Sequence, residues 1–187
     1  MGWKSMHTVD YYSLMVIDGP STKMEYFCSL ETARQRMRDL FYGRPGVPTL
    51  PESIHIDDTH FLITTPDSVR LCRNEEYCDF SISQLKFEDV PVGDTDARER
   101  YIVEYEERNS ATGSVNGGLY YFYRRSNAVK MLSDFYGFEP GDAYYLNNTH
   151  YREVTDESVR IQMGALYERM SVGKLVLSDY LVINAEQ

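Results

Sequence analysis

The chain carries one stretch twice: residues 59–92 read THFLITTPDSVRLCRNEEYCDFSISQLKFEDVPV, and residues 149–182 read THYREVTDESVRIQMGALYERMSVGKLVLSDYLV. At a constant offset of 90 residues, eleven of these 34 aligned positions are identical. Self-similarity of this kind indicates that one folding unit is repeated. The sequence therefore predicts an internal tandem duplication, with a first repeat unit over residues 1–93 and a second over residues 94–187.

A β-hairpin is predicted at the start of each repeat. In the first repeat, Tyr11–Asp18 and Lys23–Phe27 flank a Gly-Pro-Ser-Thr turn. In the second repeat, Tyr101–Glu106 and Leu119–Tyr123 flank the connection Arg108–Gly118. Because this connection holds Asn, Ser, Thr and three glycines, the sequence predicts a long and mobile loop there.

A helix is predicted after each hairpin. In the first repeat Ser29 has the character of an N-cap, Gly43 that of a left-handed C-cap, and Pro45 forbids continuation of the helix. In the second repeat Ser126 is expected to start the helix and Gly137 to end it. Apolar residues recur at helical spacing in both repeats: Ala33, Met37, Leu40 and Phe41, then Ala128, Met131, Leu132 and Phe135.

The remainder of each repeat has the pattern of strands. The predicted strands are His60–Thr64, Ser68–Cys72 and Phe80–Phe87, with the counterparts Tyr151–Val154, Ser158–Met163 and Met170–Leu177. The predicted fold class is therefore α+β, built from a tandemly duplicated β-β-α-β-β-β unit. We expect two antiparallel sheets, each covered by one helix, in a pseudo-two-fold arrangement that packs into one compact body.

Composition and charge limit the classes of function. The net charge is −10 and the pI is near 4.8, so the field of the protein repels nucleic acid and anionic membranes and attracts basic partners. Three cysteines argue against a disulfide framework. Since no apolar run has the length of a membrane span and no signal peptide is evident, we expect a soluble cytoplasmic protein, as a monomer or a homodimer.

An acidic segment, defined here as residues 88–107, is the first candidate partner-binding surface. Alternation along Tyr101–Glu106 predicts that Glu104 and Glu106 share one strand face. Carboxylates on alternate residues are spaced about 6.6–7 Å apart, roughly like phosphates along a nucleic-acid strand. The other interpretation is a charged edge strand that resists aggregation. The acidic residues of the segment are Glu88, Asp89, Asp94, Asp96, Glu99, Glu104, Glu106 and Glu107.

A second candidate site is duplicated. His60 precedes Arg70 by ten residues, and His150 precedes Arg160 by the same distance. If the two side chains approach each other across a hairpin, the arginine fork and the titratable histidine suit an anion or phosphate site. The alternative is structural, with the histidine bonded to the hairpin and the arginine lying across its surface.

Two further clusters have the composition of a metal site in the first repeat. Asp57, Asp58 and His60 lie together, but the second repeat has asparagines at the two acidic positions. Cys72 and Cys78 lack the spacing of a zinc knuckle and are interpreted as small hydrophobes. The sequence contains no nucleotide-binding or hydrolase motif. We therefore predict no catalytic residue, no metal and no cofactor.

Three hypotheses of function follow. The favoured one is a non-enzymatic acidic module that binds a basic partner, such as a nucleic-acid-binding protein or nuclease complex. Phage and mobile-element inhibitors of the anti-restriction and anti-CRISPR type act in this way, and the analogy rests on size and acidity alone. The alternatives are a small-ligand or phosphate-binding protein or enzyme that uses the His/Arg pairs, and a structural homo-oligomer.

Overall fold

The computed structural model describes residues 10–89 and 99–179, which divide into two compact units. The first unit consists of residues 10–85 together with residues 176–179, and the second contains residues 86–89 and 99–175. Each unit is an antiparallel sheet of six strands with one helix on one face. The duplicated α+β fold predicted from the repeat is confirmed.

The first unit follows the order hairpin, helix, four further strands. Its elements are β1 (Tyr12–Asp18), β2 (Ser21–Phe27), α1 (Leu30–Tyr42), β3 (Ile54–Asp57), β4 (His60–Thr65), β5 (Ser68–Arg73) and β6 (Glu76–Gln84). The strand order in the sheet is β2-β1-β6-β5-β4-β3. The first and last strands of the chain segment therefore meet in the middle of the sheet, and β2 and β3 form its edges.

The second unit repeats this arrangement. Its elements are β7 (Tyr101–Asn109), β8 (Ser114–Phe122), α2 (Arg125–Tyr136), β9 (Tyr144–Asn147), β10 (His150–Val154), β11 (Ser158–Met163) and β12 (Leu166–Lys174). The strand order is β8-β7-β12-β11-β10-β9, the same as in the first unit. Neighbouring strands are antiparallel in both sheets.

The core of each unit lies between the helix and one face of the sheet. Apolar side chains at alternate strand positions meet the apolar stripe of the helix, which removes both from water. The first core contains Leu14, Phe27, Ala33, Met37, Val69 and Phe80. The second contains Val103, Phe122, Ala128, Leu132, Val154, Val159 and Met170.

The ends of α1 agree with the local sequence signals. The Ser29 hydroxyl accepts a hydrogen bond from the Thr32 N–H at 3.4 Å, and Gly43 adopts the left-handed conformation with φ of 65°. Gly137 ends α2 in the same way, with φ of 64°. Both C-caps and the N-cap of α1 are therefore confirmed.

The start of α2 differs from the prediction. The helix begins at Arg125, its N-cap residue is Arg124, and that residue makes no side-chain capping bond. The carboxylate of Asp89 accepts the N–H groups of Tyr123 at 2.7 Å and Arg124 at 3.2 Å. The prediction of Ser126 as the first helical residue was wrong, because an acceptor from a distant segment replaces a local cap.

Two more features differ from the sequence-based prediction. Each sheet has an additional short strand, β3 or β9, before its Thr-His pair. The predicted loop Arg108–Gly118 is largely paired strand, since β7 and β8 run in register until Asn109 faces Ser114. No helix within the described ranges combines the length and apolar character needed to cross a bilayer.

Candidate functional site

The acidic segment is only partly brought together. Asp94 and Asp96 lie outside the described residues. Glu88 and Glu104 are exposed, whereas Val103, the residue before Glu104, is fully buried beneath α2. The alternation along β7 therefore places Glu104 and Glu106 on the sheet face opposite the helix, as the sequence predicts.

Two glutamates of this segment, Glu99 and Glu107, have local hydrogen-bond partners. Glu99 bonds Lys174 Nζ at 2.5 Å and the Tyr101 hydroxyl at 2.9 Å, and both bonds lower the pKa of its carboxyl. The carboxylate of Glu107 accepts the Tyr105 hydroxyl at 2.9 Å.

Glu106 lies with Glu104 on the outer face of the sheet, which is the face opposite α2. It forms an ion pair with Arg108. On the neighbouring strand β12, Arg169 lies directly opposite Glu106. Charge of the β7 glutamates is thus partly balanced by arginines on the same face.

Asp89 has a structural role in the second unit. Its carboxylate accepts hydrogen bonds from two backbone N–H groups at the start of α2 and a third from Asn127 Nδ2, at 2.7 Å. Three donors on one carboxylate fix the segment 86–89 to the beginning of the helix. The negative charge also lies at the positive end of the helix dipole, which is favourable.

The structure does not bring His60 and Arg70 together. His60 faces Arg73 across the β4–β5 pair, and Arg70 faces Ile63. His60 and Ile63, the residue opposite Arg70, are three positions apart on β4. This spacing separates His60 from Arg70 by about 10 Å along the strand and places their side chains on opposite faces of the sheet. Arg70 Nε instead donates to the Asp79 carboxylate at 3.2 Å.

The second His/Arg pair is separated in the same way. His150 faces Met163 across β10 and β11, and Arg160 faces Glu153, with which it forms an ion pair at 3.6 Å. In both repeats the register follows from the turn that joins the two strands. In the first repeat the turn at Pro66 pairs Thr65 with Ser68, and counting back from that pair places His60 opposite Arg73 and not opposite Arg70. The sequence signal for this turn could therefore have predicted the separation.

The turns that hold the histidines are built alike in both repeats. The Asp57 carboxylate accepts the Thr59 N–H at 2.8 Å and the Thr59 hydroxyl at 2.7 Å. In the second repeat Asn147 Oδ1 accepts the same two groups of Thr149 at 2.9 and 2.7 Å. The side-chain oxygen at this position therefore holds the turn whether or not it is charged.

Charge is what distinguishes the first of these turns. The bonds from Thr59, followed by the approach of His60 Nδ1 at 3.3 Å, lower the pKa of Asp57 from 3.8 to about 2. Asp58 beside it is exposed. Within the described residues, no three His, Cys, Asp or Glu side chains converge as metal ligands. All three cysteines are free thiols.

The strands β3 and β9 are a feature that the sequence analysis missed. Each is the edge of its sheet, and all four residues of each strand are exposed. In β3 the exposed fractions are 57% for Ile54 and 74% for Ile56. In β9, Tyr145 and Leu146 are exposed to 68% and 71%. A hydrophobic pair at alternate positions just before the Thr-His motif is the signal that could have revealed β3.

Comparison with known proteins found no matching family model, no matching curated protein and no matching solved structure.

Proposed function

We propose that this protein is a non-enzymatic interaction module and that it binds a basic protein partner through the edge strand β3 and the acidic turn that follows it. The observation that carries the proposal is the combination of an exposed strand edge with charge. Ile54 and Ile56 offer apolar contacts, and Asp57 and Asp58 place two carboxylates at the end of the same strand. With one side of β3 open, an extended basic segment can add by main-chain hydrogen bonds.

The charge of the turn supports a basic rather than a neutral partner. The low pKa of Asp57 keeps its carboxylate ionised at every pH at which proteins normally associate. Glu52, before the strand, is exposed as well. The net charge of −10 adds a long-range field that speeds the approach of a basic partner and weakens with salt.

Nucleic-acid mimicry is the narrower form of this proposal. It is supported by Glu88 and Glu104, which are exposed in the acidic segment. On the outer face of β7 the neighbouring Arg108 and Arg169 offset part of the glutamate charge. For this reason the turn at Asp57 and Asp58, and not β7, is the preferred contact. A partner of this kind would be a nucleic-acid-binding protein, and the protein would act as its inhibitor.

The test uses a defined probe, a synthetic peptide of alternating lysine and valine. Backbone amide shifts of β3 are followed by NMR while the peptide is added at low salt. The double variant Asp57→Asn/Asp58→Asn gives the turn the two residues of the second repeat, which preserve its bonds. We expect this variant to bind at least about tenfold more weakly. The matched control, Asp10→Asn/Asp18→Asn, removes two exposed charges beside the ends of β1, four strands away from β3, and should bind like the wild type.

Equal weakening by both double variants would mean that binding responds to net charge alone and would contradict a contact at β3. Absence of shifts in β3 with the wild type would do the same. For the inhibitor form of the proposal, a captured basic partner should be released by a DNA or RNA duplex. If the partner holds the protein and the duplex at the same time, mimicry is excluded.

A further inference from the structure

A cavity of about 590 Å³ lies at one end of the second sheet, on the side of the β7–β8 and β11–β12 turns. The two turns are joined, since the Ser110 N–H donates to the Ala165 carbonyl at 2.9 Å. Ser114 and Val115 line the cavity from one turn, and Gln162 and Tyr167 line it from the other side. The sequence predicts a mobile loop at this position. In the structure the same residues form the β7–β8 hairpin, which is one wall of the cavity.

Two arginines and one carboxylate provide the charges of this cavity. Arg108, Arg169 and Glu106 all line it. Glu106 is already ion-paired with Arg108, and the same carboxylate faces Arg169 across the β7–β12 pair. Two guanidinium groups against one carboxylate leave an excess of one positive charge among these three residues, within a protein whose net charge is −10.

Arg169 is incompletely satisfied. Its Nε is buried and has no hydrogen-bond partner within the described part of the chain, and its Nη2 reaches only Ser171 Oγ at 3.5 Å. A buried donor without an acceptor is costly, and an acceptor from a ligand removes that cost. Guanidinium groups prefer oxygen pairs of carboxylates and phosphates, which they bind with two parallel hydrogen bonds.

Residues 10–89 of the first repeat contain no counterpart of this arrangement. At the position of Arg169 it has Asp79, and the strand residue opposite is Ile17 instead of Glu106. Asp79 is satisfied by Arg70 at 3.2 Å and by the Tyr77 hydroxyl at 3.0 Å. The short β1–β2 turn also offers no wall like that of the longer second hairpin. The positive cavity is therefore specific to the second repeat.

We propose that this cavity binds a small organic anion that carries a carboxylate or phosphate group. The anionic oxygens accept hydrogen bonds from Arg169, with Arg108 supplying further positive charge. The rest of the molecule lies against the ring of Tyr167 and the side chain of Val115, because a cavity of about 590 Å³ exceeds the size of an inorganic anion. The site differs from the surface proposed for the basic partner.

The test compares three probes of similar size: phenyl phosphate, benzoate and the neutral phenol. Amide shifts of Gln162, Tyr167 and the β7–β8 turn are measured by NMR over the millimolar range. We expect saturable shifts with phenyl phosphate, with benzoate or with both, and the stronger of the two identifies the preferred head group. Phenol should produce none of comparable size.

A variant at the start of α2 supplies the control. Arg169→Gln should weaken anion binding by about tenfold or more. Arg124→Gln removes the same charge from the exposed N-cap residue of α2, outside the cavity, and should leave binding within about twofold of the wild type. Should Arg169→Gln prove unfolded by circular dichroism, Arg108→Gln takes its place with the same expectation.

The inference is overturned by three outcomes: no saturable shift with either anion, equal shifts with phenol, or equal losses in the variants at Arg169 and Arg124. The last outcome would show a response to overall charge and not to a built site.

Discussion

The Ser178 N–H donates to the Tyr26 carbonyl at 2.7 Å, which joins residues 176–179 to the edge strand β2 of the first unit. The second unit contains the equivalent contact, in which the Glu88 N–H donates to the Tyr121 carbonyl at 2.9 Å. Phe87 stacks on Tyr123 beside it, with ring centroids 4.1 Å apart. Each unit is thus completed by the segment that follows the last strand of the other repeat in the sequence.

These two contacts predict that removal of the Ser178 or the Glu88 N–H lowers the stability of one unit and leaves the other unchanged. Ser178→Pro deletes the donor to Tyr26 and should lower the local stability of the first unit by about 1 kcal/mol. Glu88→Pro should have the same effect on the second unit. Amide hydrogen exchange of β2 and β8 measures the two effects separately. Faster exchange in β8, and not in β2, after Ser178→Pro would contradict the assignment of residues 176–179 to the first unit.

A second prediction concerns the distant cap of α2. Asp89→Ala removes the acceptor for Tyr123, Arg124 and Asn127. We expect the free energy of unfolding to fall by about 1–2 kcal/mol, with faster amide exchange in the first turn of the helix. The matched control is Asp179→Ala, the repeat counterpart, because α1 already has its own cap at Ser29. A loss in the control as large as in Asp89→Ala would show that the effect is not specific to capping.

The titration of Asp57 gives a third prediction. Its pKa is lowered to about 2 in the folded protein, so the stabilisation from its ionised form is complete above pH 3.8 and is lost as the pH falls through 2. Thr59→Ala removes the hydroxyl donor, which is the largest cause of the shift, and should raise the pKa toward 3.8. NMR titration of the Asp57 carboxyl measures the change. Thr149→Ala, at the neutral turn of the second repeat, should leave it unaltered.

The close approach of β7 and β8 gives a fourth prediction. A Cβ on Gly117 would lie 3.1 Å from the Tyr105 carbonyl oxygen, a backbone atom with little freedom to move. Gly117→Ala should therefore lower the free energy of unfolding by about 1 kcal/mol. At Gly173 the added Cβ would lie 3.7 Å from Ile102 Cγ2, an ordinary contact. Gly173→Ala should leave stability unchanged or raise it by up to about 1 kcal/mol. Urea unfolding distinguishes the two variants, and equal losses would argue against strain at Gly117.

The elements that could be predicted are those with local causes. Ser29 and Gly43 define the ends of α1 through bonds within a few residues, so the sequence around them is sufficient. The start of α2 could not be found in this way, because its acceptor Asp89 lies 34 residues before Tyr123. The strand β3 was missed for a related reason. It is short, and its hydrophobic residues face solvent instead of a core, so it lacks the pattern of a half-buried strand.

The candidate sites show the same division. The sequence indicates which residues of β7 share a face, since alternation has a period of two. It does not indicate which strand lies beside them, and the neighbours decide the charge. Glu106 is part of an acidic segment in the sequence, but in the sheet it lies between Arg108 and Arg169.

By itself, the sequence determined the duplication, the α+β class, both ends of α1 and the end of α2, because these depend on repetition and on interactions between near neighbours. Only the tertiary structure decided which side chains meet. In the structure, His60 and Arg70 lie apart, β3 forms an edge of its sheet, and Arg169 lines a cavity. The physical reason is that strand order and register are set by contacts between residues far apart in the chain, which local patterns do not encode.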